Sequence, residues 1–185
     1  MNARSLPIFL VVCAAALSSG LSAQTPGVTL DVPFVAQTMD GCGSASISMV
    51  IRYWENKLGQ SFAGVSDPEK IQSALYSPAM GGIPASKMRA YFQESGFRAF
   101  AFAGTWSDLT RHVQQGRPLI VSLKASGPLE PLHYVVVTGI DPEREYVYVH
   151  DPAQQKMMRI SREGFESEWK PTHNWTLLAV PHSGD

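Results

Sequence analysis

From Pro118 onward the chain changes its period. "PLIVSLK", "LHYVVVTGID", "EYVYVHDP" and "KMMRIS" are short runs rich in β-branched and aromatic residues, separated by turn-forming residues. "NWTLLAV" closes the chain as a last strand. The stretch before Pro118 is mostly helical in its spacing. Helices gathered in one half and strands in the other imply an α+β fold, with the N-terminal helices packed on a mainly antiparallel C-terminal sheet.

In the N-terminal half, Ala45, Ile47, Met49, Val50, Tyr53 and Trp54 recur at helical spacing, which predicts a helix over Ser44–Asn56 with a broad buried face. "SDPEKIQSALY" opens with Ser66 or Asp67 as cap and Pro68 in the first turn, a helix start. Ser86–Ser95 reads as a second helix with Gly96 as its stop. "FRAFAFAG" alternates as a strand does, and "TWSDLTRHVQQG" reads as a helix with Gly116 just past its end. "LDVPFVAQ" reads as a brief extended segment, which Pro33 keeps at a sheet edge or outside a sheet. "QTPGVT" before it reads as a polar linker. Tyr53, Trp54, Tyr91 and Phe92 read as core.

The first residues have a different character. Arg4 supplies a positive charge, Leu6–Leu17 is an uninterrupted apolar run, and "SSGLSAQ" offers small residues for cleavage after Ala23. This is a signal-peptide pattern, with an apolar run too short to span a bilayer. The expectation is a signal peptide over residues 1–23 and one domain over residues 24–185. The product would be exported, periplasmic or extracellular, with no stable membrane span once the signal is removed. Cys13 lies inside the apolar run after Val11 and Val12, not after the small residues a lipid-attachment cysteine wants. A chain of 185 residues can bury one core without staples. A net charge of -1 shows no nucleic-acid footprint.

Removal of residues 1–23 would leave Cys42 as the single cysteine. It could then form no internal disulfide, although exported proteins usually pair their cysteines. One reading is a small buried apolar residue. The other is a nucleophile. Cys42 sits between Gly41 and Gly43 at the predicted start of a helix, where the helix dipole favours a thiolate. The two glycines are expected to let the backbone turn sharply and to leave room for a substrate carbonyl.

A thiol nucleophile needs a base, and the base an orienting group. His133 opens the apolar run "HYVVVTGI", and Asp151 follows "EYVYVH" just before Pro152. Two antiparallel strands joined through Ile140–Arg144 would bring them side by side. Alone, His133 reads as an edge histidine and Asp151 as a turn residue. His150 competes as base, but strand alternation points it away from Asp151. Gln37, five residues before Cys42, carries a side-chain amide able to hold an oxyanion, with the Cys42 N–H as second donor. Alone, it reads as a polar loop residue. His112, His173 and His182 read as structural or solvated. A zinc site from Cys42, His133, His150 and Asp151 lacks any C-x-x-C or H-x-x-x-H spacing. No cofactor or metal is expected.

"VPFVAQTMDGCGSASISMV", then "LHYVVVTGID" and "VYVHDP", resembles the bacterial C39-like peptidases of the papain-like clan. The resemblance spans Val32–Pro152. It implies a papain-like cysteine peptidase fold, with Cys42 as nucleophile, His133 as base, Asp151 as orienter and Gln37 as oxyanion donor. The sequence departs from many members by placing Gly41 between Asp40 and Cys42. Transporter-linked members cut double-glycine leader peptides and are fused to ATP-driven exporters. These residues contain neither transmembrane segments nor a G-x-x-x-x-G-K-[ST] loop, so that substrate and nucleotide binding are not carried over. The expected function is a secreted or periplasmic cysteine peptidase acting on a peptide or protein through a thioester on Cys42. The alternatives are another thiol acyl transferase or amidase, or a catalytically silent peptide-binding module.

Overall fold

The computed structural model describes residues 27–62, 64–124 and 132–182. The expected signal peptide, with Cys13, lies outside them. The chain runs β1 (Val28–Thr29), α1 (Cys42–Leu58), α2 (Pro68–Leu75), α3 (Ala85–Glu94), β2 (Phe97–Ala103), α4 (Trp106–Gln114), β3 (Leu119–Leu123), β4 (His133–Asp141) and β5 (Tyr146–His150). β6 (Met158–Ser161), α5 (Arg162–Trp169), a 3₁₀ turn over Lys170–Thr172 and β7 (Trp175–Pro181) complete it.

The expected α+β architecture is the one observed. The strands form a single sheet in the order β2-β7-β3-β4-β5-β6, with every pair antiparallel and β1 beside the far end of β4. β3 and β4 are buried nearly throughout, and β7 is buried over Thr176–Ala179. That explains why their sequences are apolar runs and not alternating ones.

α1 is the central helix. Ile47, Met49 and Ile51 are fully buried, and truncating any of them to alanine would cost about 2–5 kcal/mol. Two polar contacts fix its position on the sheet. Ser46 Oγ donates to the Tyr134 carbonyl at 3.3 Å, and Trp54 Nε1 donates to the Ala179 carbonyl at 3.0 Å. The first ties the opening turn of α1 to the opening residues of β4.

Local chemistry explains most of the boundaries. Asp67 caps α2 by accepting from the Glu69 and Lys70 N–H groups, and Thr105 and Asp108 form a capping box on α4. Gly96 and Gly116 take positive φ where α3 and α4 end.

Two elements differ from the sequence reading. β1 falls within the expected linker, because Val28 and Thr29 pair with Ile140 and Gly139. A side chain on Gly139 would lie 2.8 Å from Thr29 Cγ2 and 2.9 Å from the Val28 carbonyl, so only glycine lets β1 approach. "LDVPFVAQ" forms no strand beyond this, although Leu30 N–H still donates to the Thr138 carbonyl at 2.7 Å. The second is α5, which the sequence reading did not include. Its signals were Ser161 as cap and the Phe165/Trp169 pair one turn apart, both of which are buried.

Candidate active site

Cys42 is the first residue of α1 and is half-buried. The turn before it is tight, since Asp40 takes φ 56°. Aspartate tolerates that region better than most residues. The expectation that Gly41 and Gly43 make this turn is therefore corrected. Gly41 has φ −94°, and its lack of a side chain matters because a Cβ would sit 3.0 Å from the Thr38 carbonyl. Gly43 faces Ile83, whose Cβ would lie 3.0 Å from an added Cβ. Packing requires both glycines, and Gly43 does not border the substrate space.

The start of α1, like that of α3, has neither a side-chain cap nor an acidic residue in its first turn. α2, α4 and α5 are capped by the side chains of Asp67, Thr105 and Ser161. Gly41 offers α1 no side-chain cap, and its first turn holds no acidic residue. The first N–H groups of a helix have no partner within it. At Cys42 they keep their donor capacity and the positive end of the helix dipole.

His133 is the first residue of β4. Its Nε2 lies 2.6 Å from Asp151 Oδ1 and donates to it when the carboxylate is ionised. Cys42 is the second group that acts on this imidazole. Burial is the largest single influence on His133 and opposes its charge. The Asp151 and Cys42 hydrogen bonds and their negative charges together outweigh it, raising the imidazole to about 9.

Asp151 is held on both oxygens. Ala153 N–H donates to Oδ1 at 2.9 Å and Gln154 Nε2 to Oδ2 at 2.8 Å. Burial acts against this carboxylate most strongly, but the His133 contact and the two donors hold it below the usual carboxylate range. Gln37 N–H donates to the Pro152 carbonyl at 2.9 Å, which ties the loop before α1 to the loop after β5. Its side-chain Oε1 is buried without a donor. Gln37, Cys42, His133 and Asp151 all line one cavity of about 580 Å³.

His150 is placed elsewhere. It is fully buried, its Nε2 donates to the Val32 carbonyl at 2.9 Å, and its Nδ1 accepts from Met157 N–H at 3.0 Å. Burial, the largest influence, pushes its pKa down. Both nitrogens of a neutral ring are thus committed to backbone. Tyr134, beside His133 in β4, is pushed up to about 12, first by burial and then by the Cys42 charge, so it stays a phenol. His112 is buried in α4, while His173 and His182 are exposed. Among the described residues no group of three or more His, Cys, Asp or Glu is placed to hold a metal ion.

Sequence reasoning missed three contributors. Gln154 looks like any polar turn residue, and Ser46 like a helix-interior serine. Glu168 lines the same cavity from α5, the helix that was not foreseen.

The family described as Peptidase_C39 like matches residues 29–176. The chain belongs to this family. Among solved structures, a C39-like peptidase from Bacillus anthracis has a TM-score of 0.65 at 20% identity, covering 86% of this chain and 100% of that one. A double glycine motif protease from an AMS/PCAT transporter, solved with its leader peptide, has a TM-score of 0.60 at 20% identity, with the same coverage of 86% and 100%. Xylellain, a cysteine protease from Xylella fastidiosa, has a TM-score of 0.55 at 12% identity, covering 87% of this chain and 88% of that one. No curated protein matches the chain. The C39-like, papain-like fold, with helices packed on a mainly antiparallel sheet, is therefore shared with these peptidases.

Proposed function

We propose that the protein is an exported thiol peptidase that hydrolyses peptide bonds through an acyl-enzyme on Cys42. One observation carries the reading. His133 Nε2 is hydrogen-bonded to Asp151 Oδ1, and its imidazole is also raised by Cys42, inside a cavity that holds all three with Gln37. A half-buried imidazole held by a carboxylate beside a thiol suits proton transfer.

His133 takes the Cys42 proton, and the thiolate attacks the scissile carbonyl carbon. The carbonyl π electrons move to oxygen, where the Gln37 side-chain amide and the Cys42 N–H stabilise the oxyanion. Collapse breaks the C–N bond, and the imidazolium gives its proton to the departing amine. A thioester remains. His133 then takes a proton from water, the hydroxide adds to the thioester, and the C–S bond breaks. The acid product leaves, and the Cys42 sulfur regains a proton. Asp151 holds the ring tautomer throughout.

Family membership supports peptidase chemistry, and the neighbour solved with a leader peptide supports a peptide substrate. Arg4, the apolar run Leu6–Leu17 and Ala23 support export to the periplasm or beyond. Among the described residues no helix is long and apolar enough to cross a membrane.

The test is digestion of a diverse peptide library by the purified protein, read by mass spectrometry. Expected are cleaved peptides together with a transient acyl adduct on Cys42. An absence of cleavage combined with a Cys42 that resists iodoacetamide at neutral pH would overturn the reading. Acyl transfer to amines without hydrolysis would move the assignment to a transferase.

A further inference from the structure

The cavity has a chemical character beyond the reacting groups. On one side it is lined by Leu123, Val135, Val149, Met158 and Ile160, with Glu168 among them. Val149 and Met158 are direct cross-strand partners, and Ile160 follows two residues on, so these side chains form one continuous apolar wall on β5 and β6. α5 packs against β3, β5 and β6, and it brings Glu168 to this wall.

Among the described residues lining the cavity, Glu168 is the charge with neither a counter-ion nor a side-chain hydrogen bond. Asp151 is paired with His133, and Asp40 accepts from Tyr76 at 3.3 Å. Glu166 is engaged by Arg162 and Lys170. Glu168 joins none of the ion pairs found among the described residues. Lys124 is its neighbour, but that contact is between the Lys124 N–H and the Glu168 carbonyl, at 2.8 Å. Among the described residues no lysine or arginine lines the cavity.

We propose that this wall and Glu168 form a specificity pocket for a long basic side chain, lysine or arginine, of the peptide substrate. The inference rests on the thiol-peptidase reading given above. An apolar wall ending in a carboxylate matches a side chain with an aliphatic stem and a cationic head. A neutral aliphatic residue would fill the wall but leave Glu168 without a partner. An acidic residue would be repelled.

The experiment is a positional-scanning set of fluorogenic peptides that differ only in arginine, lysine, norleucine or glutamate at each site around the scissile bond. At one position, arginine and lysine should raise kcat/KM about tenfold or more over norleucine. Glu168→Gln should erase that gap, so that arginine, lysine and norleucine peptides are cleaved with similar kcat/KM. Glu168→Lys should shift preference toward glutamate. Cleavage without a basic preference, or a preference that survives Glu168→Gln, would overturn the inference and leave the peptidase reading standing. If the unaltered protein cleaves nothing, the peptidase reading fails, and binding decides the pocket. The same peptides are then titrated against Cys42→Ala by fluorescence anisotropy. Tighter arginine binding that Glu168→Gln removes supports the pocket, and equal binding of arginine and norleucine peptides overturns it. Circular dichroism verifies that each variant is folded.

Discussion

His133 Nε2 and Asp151 Oδ1 are 2.6 Å apart although 18 residues separate them in sequence. The β4–β5 hairpin makes the contact. Val136 pairs with His150, so Asp151 emerges beside the first residues of β4. The turn is closed by Asp141, whose Oδ1 accepts from Arg144 N–H at 3.1 Å, and by Glu145 at φ 53°. A shift in register between Val137 and Gly139 completes the alignment.

Substitutions along this relay should separate its members. Cys42→Ala and His133→Ala should each reduce peptide turnover to background. Asp151→Asn should lower kcat by roughly 10²–10⁴-fold, since it orients the base and does not carry the proton. Gln37→Ala should cost about 10²-fold. Gln154→Ala removes one donor from Asp151 and should reduce kcat by about tenfold or less with KM unchanged. Steady-state kinetics on each folded variant measures all five.

The pH profile should carry the signature of His133. The imidazolium must be present to protonate the leaving amine, so activity should fall on the alkaline side with a midpoint near 9. Asp151→Asn removes a charge and weakens a hydrogen bond that raise this value, so the alkaline midpoint should move down. A midpoint unmoved by that substitution would assign the limb to another group.

His150 should matter for stability and not for chemistry. Its pKa is depressed in the fold, so the unfolded chain binds more protons once pH falls below about 6.5. Stability should therefore be full above that value and decline as pH drops through it. His112, also depressed by burial, adds to the same slope. His133 works in the opposite sense, contributing below about 6.5 and losing that contribution as pH rises through about 9. His150→Leu strands the Val32 carbonyl and the Met157 N–H and should cost about 1–3 kcal/mol. Melting temperature against pH would show this, and Cys42 alkylation in the variant should stay fast while it remains folded.

Gly139→Ala should test the β1–β4 contact. The added carbon meets Thr29 and Val28 at under 3 Å, which forces the strands apart. A loss of about 1–3 kcal/mol is expected in urea unfolding. The same change at Gly59, where nothing lies within 4 Å, meets only the strain of φ 64°.

Export is tested at the N-terminus. Protein recovered from the producing cell should begin near Gln24, with Ala23 the last residue removed. Recovery of cytoplasmic protein with Met1 intact would overturn that proposal.

The sequence determined whatever depends on local chemistry. Caps at Asp67 and Thr105 and stops at Gly96 and Gly116 fix helix ends through hydrogen bonds and dihedrals that nearby residues decide. The apolar runs of β3, β4, β5 and β7 were legible because burial imposes its composition on each strand separately. The order and spacing of Gln37, Cys42, His133 and Asp151 carried the family resemblance. The tertiary structure decided what depends on partners distant in the chain. β1 exists because Gly139 admits it, and no property of Val28 and Thr29 alone announces that. The register Val136–His150 sets Asp151 against His133 and turns His150 to Val32, and a slip of one residue would have reversed those directions. Glu168 entered the cavity only when α5 folded onto the wall of β5 and β6. A single charged residue on a short helix carries no local mark of the space it will face.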